Sequence, residues 1–405
     1  QPWRGRSDIW FSPAPLLLAG GRTVFVFPGL EAAFEPRIDD VRAMLDGEAA
    51  ASASTDVASG ADDYHLGHHG VGVVEVGRVL ERALARMGIE PDAVAGHSVG
   101  EWSAMISSGM FSEQQVDEFL DGFDPQTLQV PGLTFAAVGA GARSPKVTAA
   151  LGEGPAVELS HDNSPNQCVL CGPHEQIAAL VSVLRAGNVL CQELPFRSGF
   201  HTPMLAPYLA PIRTATARFE LHAQRVPTWS ATTVAPFPAD PDEVRTIFVR
   251  HLLEPVRFRE LIDALYADGM RVFVQVGTGQ LASVIDDVLR DHDHLAIAAN
   301  TPSRSGTAQL TRVGAALWAE GAPVAVAGTA TTRPRPAKAA RPPMRLDLGS
   351  PLVRMSRGAL PVLAANGSAG ELAELDRLAV QAPAAAELAA LLRETAAGAL
   401  ALLQP

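Results

Sequence analysis

The chain has 405 residues, 47% of them hydrophobic, with a formal net charge of −12. That length admits two or three domains, or one large domain with an insertion, and a core that needs neither disulfides nor metal. The acidic balance argues against a general nucleic-acid binder, no run of 18 apolar residues is available to cross a membrane, and three cysteines fit a reducing cytosol.

Residues 1–21 are Pro-rich and then apolar, lack the architecture of a signal peptide, and read as the tail of an interdomain linker in a piece of a longer protein. Thr23-Val24-Phe25-Val26-Phe27 is β-rich and ends at Pro28-Gly29-Leu30, predicting a first core strand that feeds a loop. Residues 47–63, mostly Ala, Ser, Asp and Gly, read as a surface loop. Residues 71–87 put Val73, Val76, Leu80, Ala83, Leu84 and Met87 on one face, the pattern of a helix that Gly72 and Gly77 weaken. His65, His68 and His69 precede it. With no carboxylate at ligand spacing, they read as a polar wall of a site rather than as a metal centre.

Residues 91–95 predict a short buried strand, and residues 102–109 a small-residue helix closed by Gly109. Between them stands Gly96-His97-Ser98-Val99-Gly100-Glu101, which contains Gly-x-Ser-x-Gly, the nucleophile-elbow pattern. Alone the pattern is also that of a tight strand-to-helix turn; the strand before and helix after favour a nucleophile. A Cβ at Gly96 or Gly100 would crowd such a turn, and the helix start would aim backbone N–H groups at whatever Ser98 attacks.

From 132 to 196 the predicted order is strand (133–138), helix (145–151), strands (156–160 and 167–171), helix (173–184) and strand (188–194). That is βαββαβ, the ferredoxin-like arrangement. Cys168-x-x-Cys171 has ligand spacing but falls in a strand with no second Cys/His pair nearby, so both read as core thiols. Strands at 226–232 and 272–276 and helices at 241–252, 256–267, 281–290 and 310–320 follow. Gly277-Thr278-Gly279 is a turn rather than a dinucleotide site, because no acidic residue ends a following strand at the required distance. The expected class is α/β. An α/β-hydrolase-like large subdomain with a parallel sheet covers residues 22–131 and 197–326. A ferredoxin-like small subdomain covers 132–196, and a cationic linker with a helical tail covers 327–405.

A serine nucleophile needs a base. The candidate is His201, in Pro195-Phe196-Arg197-Ser198-Gly199-Phe200-His201-Thr202-Pro203, on a loop after the last strand of the insertion. With Phe25-Val26-Phe27-Pro28-Gly29, Gly96-His97-Ser98-Val99-Gly100-Glu101, Asn163-Ser164-Pro165-Asn166-Gln167, Phe200-His201 and Val276-Gly277-Thr278-Gly279 in this order, residues 22–326 resemble the malonyl-CoA:acyl carrier protein transacylase family, specifically the acyltransferase domains of type I polyketide synthases. The wording Gly-His-Ser-Val-Gly-Glu-Trp and Phe-Arg-Ser-Gly-Phe-His further resembles the iterative enediyne-type synthases.

The resemblance implies that Ser98 carries the acyl group and that His201 takes its proton and later activates the phosphopantetheine thiol. A backbone carbonyl, at the matching position His251, would orient His201, and the backbone N–H groups of Val99 and Leu30 would form the oxyanion hole. It implies a cytoplasmic enzyme with no cofactor of its own, using malonyl-CoA and an acyl carrier protein beside a ketosynthase and other synthase domains, without nucleic acid or membrane. Asn163 is expected among the substrate-binding residues. Two departures, at Phe123 and His69, and one match, at Phe200, bear on the substrate. The arginine that grips the acyl carboxylate falls about where Phe123 stands, which favours an uncharged group such as acetyl. Phe200 before His201 matches malonyl-selective domains, the methylmalonyl type having Ser. His69 stands where the family has Gln, and His69 or Arg197 could supply the missing charge. The alternatives to an acyl carrier protein loader are a serine esterase or thioesterase using the same elbow and a non-catalytic docking domain, against which intact Ser98 and His201 argue.

Overall fold

The structure, a computed structural model, describes residues 2–5, 8–31, 34–46, 66–122, 130–152, 156–195 and 197–325. The chain divides into two units, Gln1–Thr332 and Arg333–Pro405, and every described residue belongs to the first. The loop expected at 47–63 and the linker and helical tail expected at 327–405 lie outside the described residues.

The chain opens with β1 (Trp3–Arg4), β2 (Trp10–Phe11), β3 (Arg22–Phe27), α1 (Asp39–Asp46), α2 (Leu66–Arg86), β4 (Ala93–Gly96), α3 (Gly100–Ser107) and α4 (Glu113–Gly122). It continues with β5 (Leu133–Val138), α5 (Pro145–Gly152), β6 (Glu158–Ser164), β7 (Gln167–Pro173), α6 (His174–Ala186) and β8 (Cys191–Leu194). A short 3₁₀ turn at Pro203–Tyr208 precedes α7 (Ala210–Thr216), β9 (Thr228–Ser230), β10 (Ala235–Pro236), α8 (Pro241–Leu253), α9 (Phe258–Ala267), β11 (Met270–Gln275), α10 (Leu281–Val288), β12 (Leu295–Ala298) and α11 (Gly306–Ala319).

Six strands form one sheet in the order β10-β9-β4-β3-β11-β12. All its pairings are parallel except that of β10 with β9. Such a sheet is covered on both faces, and β3 shows how its sequence meets that demand. Val24 and Val26 enter a cluster with α9 and α10, while Phe25 and Phe27 enter the opposite cluster with α2 and α11. The central strands β3 and β4 are hydrogen-bonded neighbours, so their carboxyl ends bring Pro28 and Ser98 to one edge of the sheet, where open parallel sheets take ligands.

Two sequence readings change. Helix α2 starts at Leu66, five residues before the expected Val71, and takes Gly70, Gly72 and Gly77 into its body. Those last two glycines are packing positions: a Cβ on Gly72 would lie 2.9 Å from the Phe34 ring, and one on Gly77 3.4 Å from the Phe27 ring. Close helix approach outweighs the helix cost of glycine, about 1 kcal/mol each. Residues 8–21, read as linker, fold against α11: Leu16 is buried in the core, its N–H donates to Glu320 Oε2 at 2.9 Å, and Arg312 pairs with Asp8.

The second sheet has the order β6-β7-β5-β8, antiparallel throughout. With α5 and α6 this is the ferredoxin-like βαββαβ unit. Ala136, Val138, Cys168 and Leu170 pack under α6, whose stripe Ile177, Leu180, Val181 and Leu184 is buried as expected. Leu133, Phe135, Val169 and Cys171 face the other way, in a cluster shared with α3 and α8. Burial pushes the Cys168 and Cys171 thiols up to about 12, consistent with inert core side chains. The fold is therefore an α/β-hydrolase-like sheet with a nucleophile elbow, carrying a ferredoxin-like insertion. β6 docks beside the elbow, where Val256 N donates to Ser160 O and Asp162 N to Val256 O, both at 2.9 Å.

Candidate active site

Ser98 sits between the end of β4 and the start of α3 with φ 56°, in the left-handed region that a residue with a Cβ rarely adopts. The glycines make that corner possible. A Cβ on Gly96 would lie 2.1 Å from the Gly100 carbonyl carbon, and one on Gly100 would lie 2.1 Å from Phe27 O. Gly29 is held as tightly: its Cβ would meet His97 O at 2.7 Å and Ser98 Cβ at 3.0 Å, so the Pro28–Leu30 loop lies directly against the serine. Gly277 in turn approaches that loop, a Cβ there falling 2.4 Å from Pro28. The Gly277-Thr278-Gly279 turn thus braces the Pro28 loop.

His201 also has a left-handed backbone, φ 60°. Its Nε2 lies 2.7 Å from Ser98 Oγ, and its Nδ1 lies 2.7 Å from the carbonyl oxygen of His251. A carbonyl only accepts, so Nδ1 carries the hydrogen and Nε2 offers its lone pair to the serine hydroxyl. The His201 N–H donates to Leu252 O at 2.8 Å, so the end of α8 fixes both ring and backbone. Burial, and secondarily the charge of His251 beside it, hold the His201 imidazole well below its usual range, against the opposing pull of the His251 carbonyl. The ring is neutral at pH 7, the state a general base requires.

Asn163, expected at the site, converges here with further residues to which the sequence assigns no role. His97 Nε2 bonds Asn163 Oδ1 at 2.8 Å, and Asn163 Nδ2 donates to Gln167 Oε1 at 2.9 Å. His161 stacks on His97 with ring centroids 5.0 Å apart and meets His201 edge-to-face at 4.9 Å. Ser160 Oγ donates to the Phe200 carbonyl at 3.0 Å. Burial lowers His97 to about 4 and His161 well below its usual range, so both are neutral. Glu101, the last residue of the elbow motif, is buried beside His251. The repeated motif letters Gly-x-Ser-x-Gly-Glu and Asn-Ser-Pro-x-Gln were the only sequence signal for Glu101 and Gln167.

Leu30 and Phe200 are partly buried on the cluster that holds Phe135 and Leu133. His69 is 8% exposed against the Phe34 ring, with centroids 4.5 Å apart, and burial lowers it to about 4. It therefore carries no positive charge at neutral pH in this state. Arg197 is exposed and donates to Thr134 Oγ1 at 2.6 Å. Thr134 alternates with Leu133 and Phe135, so it points to the opposite, helix-covered face of the small sheet. The guanidinium is thus engaged at the small sheet, where it also donates to Leu194 O at 3.4 Å. Phe123 lies outside the described residues. Among the described residues no group of three His, Cys, Asp or Glu could hold a metal ion, and no helix is long and apolar enough to cross a membrane.

A serine on a glycine-framed elbow, a neutral histidine in contact with its hydroxyl and a carbonyl behind that histidine together have the geometry that a nucleophile and its base require. The family model described as "Acyl transferase domain" matches residues 68–306, more than half of the chain. The chain belongs to the acyl transferase domain family. Curated relatives of this acyltransferase include the polyketide synthase GfsA of Streptomyces halstedii, 28% identical over 299 residues that make 67% of this chain and 4% of that protein. The malonyl CoA-acyl carrier protein transacylase of Bacillus subtilis (strain 168) is 29% identical over 219 residues, 51% of this chain and 66% of that protein. The chain spans 4% to 21% of the length of the first three curated relatives it matches. Among solved structures, the acyltransferase domain from the second module of the salinomycin polyketide synthase superposes with a TM-score of 0.64 at 23% identity, covering 76% of each chain. That likeness supports the fold.

Proposed function

We propose that this acyltransferase loads malonyl units from malonyl-CoA onto the phosphopantetheine thiol of an acyl carrier protein, by a ping-pong route through an acyl-Ser98 intermediate, as one domain of a polyketide synthase. The observation that carries the reading is the chain of contacts Ser98 Oγ···His201 Nε2 and His201 Nδ1–H···O=C of His251, each 2.7 Å.

In the first half-reaction His201 Nε2 takes the hydroxyl proton as Ser98 Oγ attacks the thioester carbon. The backbone N–H groups of Val99 and Leu30 hold the oxyanion, the C–S bond breaks, and the coenzyme A sulfur leaves with the proton from His201. In the second, His201 accepts the carrier thiol's proton, the sulfur attacks the Ser98 ester, and Ser98 recovers its proton. Removing one oxyanion donor costs about 3 kcal/mol of barrier in comparable sites. A carbonyl behind the histidine fixes its tautomer as a carboxylate would, with less stabilisation of the imidazolium. That suits a thioester, an already activated acyl donor.

Phe200, beside His201, would exclude a C2 branch, and His69 and Asn163 would complete the substrate wall. Because burial keeps His69 neutral, it would receive the malonyl carboxylate as a hydrogen-bond donor, its pKa rising as the anion arrives. The large subdomain over 22–131 and 197–326, the small one over 132–196, the flanking linkers and the enediyne-type parent remain part of this reading. So do the cytoplasmic location and the neighbouring ketosynthase.

Acceptor dependence tests it. Coenzyme A release from malonyl-CoA should accelerate many-fold on adding a phosphopantetheinylated carrier protein and should not respond to the unmodified carrier. Release at one rate with or without acceptor would instead assign the elbow to hydrolysis.

A further inference from the structure

Behind Ser98 and His201 lies a second buried acid–imidazole pair. The side chains of Glu101 and His251 are 2% and 3% exposed, with Glu101 Oε2 3.2 Å from His251 Nδ1. The other nitrogen, Nε2, is 3.0 Å from the Ser98 carbonyl oxygen. That oxygen only accepts, so Nε2 donates, while Nδ1 faces both the Glu101 carboxylate and the Thr232 hydroxyl. Thr232 Oγ1 lies 3.1 Å from Nδ1, and Glu101 is further tied by Ser230 Oγ at 2.7 Å and Ala231 N at 3.1 Å. One residue therefore grips both reacting residues. The main chain of His251 receives His201 Nδ1–H, and its side chain donates to the main chain of Ser98.

Both gripped residues have left-handed backbones, a conformation that persists only where the surroundings over-determine it. We propose that Glu101 and the His251 imidazole are positioning residues, a buried ion pair that holds the turns of Ser98 and His201 in register and keeps a positive charge behind the base. This rests on the reading of Ser98 as nucleophile and His201 as base. The ring centroids of His201 and His251 are 4.9 Å apart, so that charge disfavours a second one on His201. The other groups facing His201 are His161 from β6, which is neutral, and Ser98 itself; His97 acts from one ring further away. Glu101 acts only through His251, whose imidazole its carboxylate faces.

The test is the rate at which a fluorophosphonate labels Ser98 across pH, in the full chain, for the wild type, Ser98→Ala, His251→Gln and Glu101→Gln, each checked by thermal melting. This probe reports Ser98 reactivity whatever the natural acyl donor is. Expected are no labelling of Ser98→Ala, and rates lowered on the order of 10- to 100-fold in the other two variants. Their acid limb should move to higher pH, because His201 becomes easier to protonate. A purely structural role would lower the rate at every pH without moving that limb. Wild-type rates and an unmoved limb in His251→Gln and Glu101→Gln would overturn the proposal while leaving the nucleophile–base reading intact. Equal labelling of Ser98→Ala and wild type would overturn that reading and the proposal with it. Should Glu101→Gln not fold, His251→Gln decides alone, since it keeps a polar side chain and removes the charge.

Discussion

Gly100→Ala puts the elbow to a quantitative trial. The added Cβ would lie 2.1 Å from Phe27 O and 2.6 Å from Pro28 O. A carbon–oxygen contact of about 3.3 Å is the ordinary limit, so the Phe27–Pro28 backbone and the start of α3 must part by about 1 Å. Neither is a flexible side-chain end that can swing aside. Overpacking of this kind costs about 1–3 kcal/mol, which in a domain of this size lowers the melting temperature by roughly 2–4 °C per kcal/mol. The loss in reactivity should be larger, because Leu30 lies just beyond Pro28 and its N–H would move with the loop. A displacement near 1 Å at a reacting centre costs on the order of 100-fold. Labelling of Ser98 by a fluorophosphonate, followed by intact mass, reads the reactivity, and differential scanning fluorimetry reads the stability. Wild-type labelling with an unchanged melting temperature would refute the argument that the elbow admits no Cβ at this position.

Three other outcomes follow from the same geometry. His69, His97, His161 and His201 are all held below their ordinary range by burial, so the unfolded chain binds more protons than the native one as pH falls below 6.5. Stability should therefore be full above about 6.5 and decline toward pH 4, each histidine adding up to about 1.4 kcal/mol per pH unit; urea melts that are flat over this window would contradict it. Cys168 and Cys171, raised to about 12, should resist iodoacetamide at pH 8 in the native protein and react once it is unfolded, whereas native labelling of both would mean that the small sheet opens. Phe200→Ser should raise the methylmalonyl adduct relative to the malonyl adduct in a mixed-donor incubation, and an unchanged ratio would remove Phe200 from the selectivity wall.

The elbow was legible because its constraint is local: two glycines four residues apart, a strand before and a helix after. The ferredoxin-like order was legible for a similar reason, since each strand and helix of 133–194 carries its own period. What escaped the sequence depends on approach between distant segments. Nothing near His161 reveals that β6 pairs beside Val256 and so carries His161 to His201. Nothing near Gly72 announces Phe34, so the sequence pattern places the helix start five residues late. Arg197 lies four residues before His201, yet its guanidinium is bound to Thr134 of the small sheet, a contact no local pattern announces. His201 itself was one of 11 histidines until the ordered motifs singled it out. Its carbonyl partner at His251 was legible only through the family resemblance, since no local pattern brings α8 to the loop.

The proposed transfer stands on Ser98 carrying the acyl group. Intact-protein mass after brief incubation with malonyl-CoA, acetyl-CoA or methylmalonyl-CoA, run beside Ser98→Ala, tests it most directly. A malonyl adduct is expected on the wild type and is expected to be absent from Ser98→Ala. An adduct that persists in Ser98→Ala, or none from any donor, would contradict it.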